Sequence, residues 1–165
     1  MHTKEKDFVR ELKENQNIIH KVCRIYTDNE VDHEDLFQEI TLQVWKSYPL
    51  FRGDAKFSTW MYRIALNTAI SLFRKSKRQI SVNVEVDVSD LKISNQDSNK
   101  DEERLKILYK AIHQLSDIEK ALIMMFLDDK SYREIGDILG ITEGNARVKM
   151  NRARNNLKNI ISKIK

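Results

Sequence analysis

Arg147, Asn151 and Arg152 are the side chains whose types and spacing point most directly to a chemistry, and it is one of reading rather than of bond-making. Arginine pairs with the two acceptors on a guanine edge, and asparagine with the donor and acceptor of adenine. Repeated along one side of a helix, they suit a major groove. They lie in the stretch SYREIGDILGITEGNARVKMNRAR, residues 131–154. There Tyr132, Ile135, Ile138 and Leu139 recur at helical spacing, Gly140 interrupts the pattern, and Thr142 stands where a second helix takes its N-cap. This predicts a helix-turn-helix. Along the second helix Ala146, Met150, Ala153, Leu157, Ile160 and Ile164 fall alternately four and three apart, which draws one narrow apolar stripe. Gly144, Arg147, Val148, Asn151, Arg152 and Asn155 occupy the other side. From Gly144 onward there are seven Lys or Arg and no acid.

A second candidate chemistry sits in VDHEDLFQEITLQVW, residues 31–45. Paired acids at 32–39 could serve acid–base or metal chemistry, but no nucleophile, histidine partner or phosphate loop accompanies them in a recognisable pattern. A different reading fits better. Asp32 is placed to cap a helix whose buried stripe is Leu36, Phe37, Ile40 and Val44. Its outward side mixes Glu34, Asp35, Gln38 and Glu39 with Leu42 and Trp45, an apolar anchor in a polar rim that suits a protein partner. The alternative is that Trp45 packs on the following loop. Upstream, residues 7–27 keep Phe8, Leu12, Ile19, Val22 and Tyr26 on one face of one long helix or two short ones. His20 and Cys23 lie three apart there, but two ligands fall short of the four of a structural zinc site.

The third candidate surface follows. Residues 48–57, YPLFRGDAKF, hold the single proline and one of four glycines, so helical periodicity must break there. Three aromatic and two basic side chains in such a loop can stack on exposed bases as well as cover a core. Ser58 is expected to cap the next helix, whose Met61, Tyr62, Ala65, Leu66, Ala69, Leu72 and Phe73 form a broad buried arc. Trp60, Arg63, Asn67, Ser71, Arg74 and Arg78 align opposite: arginines for phosphates and an indole to stack on or wedge a base.

These surfaces need elements to hold them, and the composition says which. The chain has 165 residues, a third of them charged, with few glycines and one proline, and its apolar runs keep helical spacing in all but one place. We expect an all-α protein of two small helical domains joined by a flexible acidic linker. Residues 1–80 carry 14 basic and 11 acidic side chains, residues 81–103 carry 2 and 7, and residues 104–165 carry 13 and 7. Two basic blocks around an acidic bridge are the footprint of a polyanion partner. The bridge alternates valines at 82, 84, 86 and 88 at strand spacing, yet with no second strand to pair it reads as a linker and domain boundary. From Arg104, Leu105, Leu108, Ala111, Ile112 and Leu115 form an amphipathic helix. The Ser116-x-x-Glu119 capping box opens the apolar IEKALIMMFLDD, the expected centre of the second domain, with Met124 and Met125 as core. A single cysteine, Cys23, precludes an intrachain disulfide. Neither a signal peptide nor a membrane span is evident, so a cytoplasmic protein without membrane insertion is expected.

Two halves in this order resemble a known family. HEDLFQEITLQVW followed by FRGDAKFSTWMYRIALNTAISLFRKSKR is similar to region 2 of bacterial sigma factors, and LSDIEKALIMMFLDDKSYREIGDILGITEGNARVKMNRAR to their region 4. The size and the lack of intervening domains resemble the extracytoplasmic-function group. That resemblance implies region 2 over 1–80, a linker over 81–103 and region 4 over 104–165. It implies core RNA polymerase as partner of Asp35, Gln38, Glu39, Leu42 and Trp45. Phe51, Arg52, Phe57, Trp60, Arg63, Asn67, Arg74 and Arg78 would recognise the minus-ten element and hold the melted non-template strand, with one flipped base in the loop. Arg147, Val148, Lys149, Asn151, Arg152 and Arg154 would read the double-stranded minus-thirty-five element, Lys149 and Arg154 nearer its phosphates. The linker would thread the RNA exit path. No cofactor and no enzymatic step are implied, and an anti-sigma factor is the expected regulator, a separate protein since the chain ends soon after the recognition helix. Val148 stands where the family often has a small hydroxyl residue, and Asn145-Ala146 where Thr-Val is common. Val148 can instead meet a thymine methyl, which alters the promoter letters and not the mechanism. Two rivals remain at this stage: a stand-alone helix-turn-helix regulator, and a nuclease built on the acids at 32–39.

Overall fold

Asn29 sets the first corner of the fold. Its side chain accepts the amide of Asp32 at 2.8 Å and donates back to the Asp32 carboxylate at 2.9 Å, closing the start of α2 (Glu30–Ser47). Asp32 is therefore the reciprocal partner in the first turn, and the cap expected there lies three residues earlier. Before it runs one uninterrupted helix, α1 (His2–Tyr26), whose end is held by Thr27 donating both its amide and its hydroxyl to the Cys23 carbonyl. The computed structural model describes residues 2–79 and 99–164, with side chains at 3–72 and 100–164. Among these residues all regular structure is helical. The chain divides into two compact units, residues 1–81 and 82–165.

In the first unit α1, α2 and α3 (Phe57–Gln79) each pack on the other two. Ile19, Val22, Cys23 and Tyr26 of α1, Ile40 and Val44 of α2, and Met61, Ala65 and Ala69 of α3 are fully enclosed. The alanines bring the α3 backbone close to its neighbours, while Tyr26 and Tyr62 fill the remaining volume. Pro49 ends α2 in a one-turn 3₁₀ helix, Tyr48–Leu50, because its ring cannot continue the hydrogen-bond ladder. Two expectations for α3 are revised. Trp60 donates its amide to the Lys56 carbonyl, so the helix starts at Phe57 and Ser58 lies inside its first turn rather than capping it. Leu72, assigned to the buried arc, is 39% exposed. In α2, Phe37 is only half-buried, at the edge of the stripe that Leu36, Ile40 and Val44 complete.

The second unit is built around its last helix. α4 (Asn99–His113), α5 (Asp117–Leu127) and α6 (Tyr132–Leu139) all pack on α7 (Glu143–Ile164). α4 begins five residues ahead of the expected Arg104, with Asp101 and Glu102 in its first turn, where carboxylates complement the helix dipole. Leu105 is exposed, so α4 packs through Ala111 and Ile112 near its end. The Ser116–Glu119 capping box is present, and residues 120–125 of α5, Met124 and Met125 included, are buried as expected. The remaining bridge, residues 80–98 with its alternating valines, lies outside the described residues.

Candidate nucleic-acid and protein-docking surfaces

Two glycines shape the corner that aims α7. Gly140 takes a left-handed φ of 72°, closing α6 through its amide to the Gly136 carbonyl at 2.8 Å. At Gly136 a Cβ would lie 2.7 Å from the Ile141 carbonyl oxygen, so the turn packs directly on this backbone. Ser131 caps α6 and Thr142 caps α7, each accepting the amide three residues on at 3.1 Å. The helix-turn-helix thus stands as the sequence indicates.

On α7, Ala146, Met150 and Ala153 are wholly buried, whereas Gly144, Arg147, Val148, Asn151, Arg152 and Asn155 are all exposed on the opposite side. Two of the cations are held from within the fold. The Arg147 guanidinium lies 5.1 Å from the Tyr132 ring centre and 3.7 Å from the Glu143 carboxylate. Arg154 lies half-buried with its guanidinium 4.6 Å over the Phe126 ring, and Lys149 is also half-buried. Further along, Asn156 donates to Glu119 at 2.8 Å, joining α7 to the capped start of α5. The front of α7 is a row of hydrogen-bonding heads on a helix about 33 Å long at 1.5 Å per residue, backed by the core over Ala146–Ala153, while Leu157, Ile160 and Ile164 farther along the stripe are only half-buried.

The second surface is aromatic. Phe51 and Trp60 rings lie 5.0 Å apart, Phe57 and Trp60 5.5 Å, and Phe51 and Phe57 meet edge-on at 5.6 Å. Trp60 is half-buried in this cluster, while Arg52, Arg63 and Asn67 are exposed. Phe57, expected among the minus-ten contacts, is buried, with its ring against Phe51 and Trp60. Gly53, at φ 79°, turns the loop between them. Arg74 and Arg78 belong to α3, and their side chains lie outside the described residues.

The third surface lies on α2. Asp35 and Gln38 are exposed, Leu42 and Trp45 are 43% and 44% exposed, and Glu39 is half-buried with its carboxylate accepting from Gln43 at 2.9 Å. A shallow groove of ≈ 420 Å³ is lined by Phe8, Phe37, Gln38, Thr41, Leu42 and Trp45. Trp45 packs edge-on against Phe8 of α1 at 4.8 Å, and Phe8 in turn meets Tyr48 at 5.1 Å. Tyr48 continues to Phe51 at 6.3 Å, so aromatic rings run unbroken from the α2 groove to the α3 cluster. Residue spacing singled out neither Phe8 nor Tyr48 for this, because the contacts cross three elements.

Among the described residues no three His, Cys, Asp or Glu side chains converge as a set that could hold a metal ion. His20 and Cys23 part company as well. Cys23 is enclosed, and burial pushes its thiol up to about 12. The His20 ring turns instead to His33 of α2, with Nδ1 and Nε2 3.2 Å apart, and stacks on Phe37 at 4.7 Å. No helix among the described residues is long and apolar enough to cross a membrane.

Comparison with known proteins adds an independent line. Residues 12–79 match the family model of sigma-70 region 2, and residues 105–157 that of sigma-70 region 4. The chain is 32% identical over 139 residues to an ECF RNA polymerase sigma-E factor of Escherichia coli (strain K12), covering 78% of this chain and 73% of that protein. It is 28% identical over 141 residues to one of Haemophilus influenzae, covering 79% and 75%. In fold it is similar to the sigma factor RpoE of Bartonella quintana, solved with the anti-sigma factor NepR (TM-score 0.73, 22% identity, 95% and 98% covered). It is similar also to CnrH, solved with the cytosolic domain of CnrY (TM-score 0.69, 18% identity, 96% and 89% covered).

Proposed function

The chain belongs to the sigma-70 family, in its extracytoplasmic-function group, and on that premise we propose that it docks on core RNA polymerase and directs it to a small set of promoters. In this reading the α2 groove, with Asp35, Gln38, Leu42 and Trp45, seats the polymerase, Glu39 adding charge at its rim. The Phe51–Trp60 cluster and the exposed Arg52, Arg63 and Asn67 take the minus-ten element, where an unstacked base finds an aromatic plane and the arginines meet phosphates. Phe57 braces that cluster, and Arg74 and Arg78 extend its basic side. Arg147, Val148, Asn151 and Arg152 read the minus-thirty-five duplex, with Lys149 and Arg154 nearer the backbone. No bond is made or broken by the protein; opening is driven by the difference in binding to stacked and unstacked DNA.

The observation that carries this reading is the exposed α7 front opposite the buried Ala146, Met150 and Ala153, in a chain that also presents a largely apolar groove on α2, a helix whose Asp35 is exposed. A repressor needs only the first. Run-off transcription with purified core polymerase is the test: promoter-specific transcripts are expected only when both are present. Specific duplex binding by the protein alone, with no transcript on adding core enzyme, would establish the stand-alone regulator instead. We further place the protein in the cytoplasm, where its polymerase works, and propose control by a separate anti-sigma factor that covers the α2 groove. Co-expression of such a partner should abolish the core complex, and a ternary complex retaining both would rule that mode out.

A further inference from the structure

One residue of the α2 groove is tied to a histidine pair. Phe37 lines the groove, and its ring stacks with His20 at 4.7 Å with 28° between the planes. His20 is in turn joined to His33, its Nδ1 3.2 Å from His33 Nε2. The two imidazoles come from different helices, and both are half-buried. With at most one proton added to the neutral pair, one facing nitrogen carries hydrogen and the other accepts it, and the contact is a bond. With two added, both nitrogens carry hydrogen and both rings are cationic, so the contact becomes repulsive.

We propose that His20 and His33 are positioning residues for the docking groove: the closed pair holds Phe37 in the wall, and a second proton on the pair releases it. The inference rests on the docking reading above, and its test separates the two. The groups acting on His33 are His20 and Arg24 from α1 and Glu34 and Glu30 from α2; among the described residues none comes from α3. Burial first, then His20 and Arg24, hold the His33 imidazole below its ordinary range, with Glu34 and Glu30 acting in the opposite sense. The sign follows. A pair opened by release takes up protons more readily than the closed one. The closed arrangement is favoured above the ordinary imidazole range and is lost as pH falls through that range toward the lowered His33 value.

The experiment measures the affinity of the full chain for core polymerase across about pH 7.5 to about pH 5.5, for the natural protein, His33→Gln and His20→Phe. Gln can still bond His20 without charging, and Phe keeps the stack on Phe37 without a proton to gain. The natural protein should weaken by about threefold to tenfold more than either variant over this interval, the change that half to one unit of pKa produces. The polymerase's own titration is common to all three and cancels. An equal slope in all three overturns the inference. NMR of the free protein gives a second readout that does not depend on the complex. The Phe37 ring resonances should shift with the midpoint of the histidine pair, and a Phe37 ring indifferent to that midpoint also overturns it. Absence of any complex at every pH would sink the docking reading instead, leaving the coupling of the pair to Phe37 to be decided by NMR.

Discussion

The front of α7 and the aromatic cluster at the start of α3 are both candidate DNA surfaces, and they are built on opposite plans. On α7 every reading side chain is exposed, and the helix is fixed by residues at its back that see no solvent. At α3 the groups proposed to meet DNA are themselves part of the packing: Trp60 is half-buried against Phe51 and Phe57. The difference follows from the state of the DNA each would engage. A duplex offers its edges ready-made, so a reader needs only hydrogen-bonding heads held in register. A melted strand offers faces that were covered a moment before, and an aromatic cluster that already shields its own rings supplies a replacement for the lost stack.

Substitutions on the two surfaces test these plans separately. Gly136→Ala should have the largest effect, because a Cβ there meets the Ile141 carbonyl and the turn must shift. We expect a loss of about 3 kcal/mol from the second unit, seen in chemical denaturation, and loss of minus-thirty-five binding with it. A melt unchanged from the natural protein would mean the turn has slack to absorb a methyl group. Trp60→Ala should next cost about 2 kcal/mol in capture of an unpaired strand while leaving duplex binding by α7 intact. Fluorescence of a base analogue in the minus-ten region reads the first, and a gel shift on minus-thirty-five duplex the second. Equal losses in both assays would erase the distinction drawn here.

Smaller changes sharpen the α7 side. Arg147→Ala should lose about 1.5 kcal/mol at one base pair and relax preference there. Lys149→Ala should instead weaken all sequences alike and lower the salt slope by about one. If Lys149 proved sequence-selective, the division between base and phosphate contacts would be wrong. Smallest of all, Glu143→Gln should tighten duplex binding by about 0.5 kcal/mol or less, since the carboxylate 3.7 Å from Arg147 is a solvent-screened competitor for that cation. Weaker binding would make Glu143 a positioning partner rather than a competitor.

What could be read without coordinates divides along the same line. The helix-turn-helix is written in consecutive residues: the period of Ile135 and Ile138, the break at Gly140 and the cap at Thr142 are local, and all three stand. Caps at element starts were legible only to within a few residues. Asn29 and Asp32 are both good caps and the structure uses them as a pair, while α3 starts with no side-chain cap from Ser58 because the Lys56 carbonyl opens the ladder two residues earlier. The aromatic run and the histidine pair were not legible at all. On the sequence His20 has only Cys23 as a possible co-ligand on its helix face, too few for a metal site. Only the crossing of α1 with α2 brings it to His33, and only three elements together bring Phe8 between Trp45 and Tyr48.

The run of rings from Trp45 through Phe8 and Tyr48 to Trp60 has an optical consequence. The chain has two tryptophans, and both lie in the first unit, one at the docking groove and one in the cluster beside the loop. Selective excitation of indole therefore illuminates this unit alone, against a dark second unit. Each emitter is half-shielded by neighbouring rings, so uncovering or covering either one changes its colour and yield. Trp45→Phe would leave a probe watching only the aromatic cluster of α3, and Trp60→Phe one watching only the α2 groove. In the free protein, changes at the groove and at the cluster can thus be followed separately with light, using chromophores that the sequence already carries.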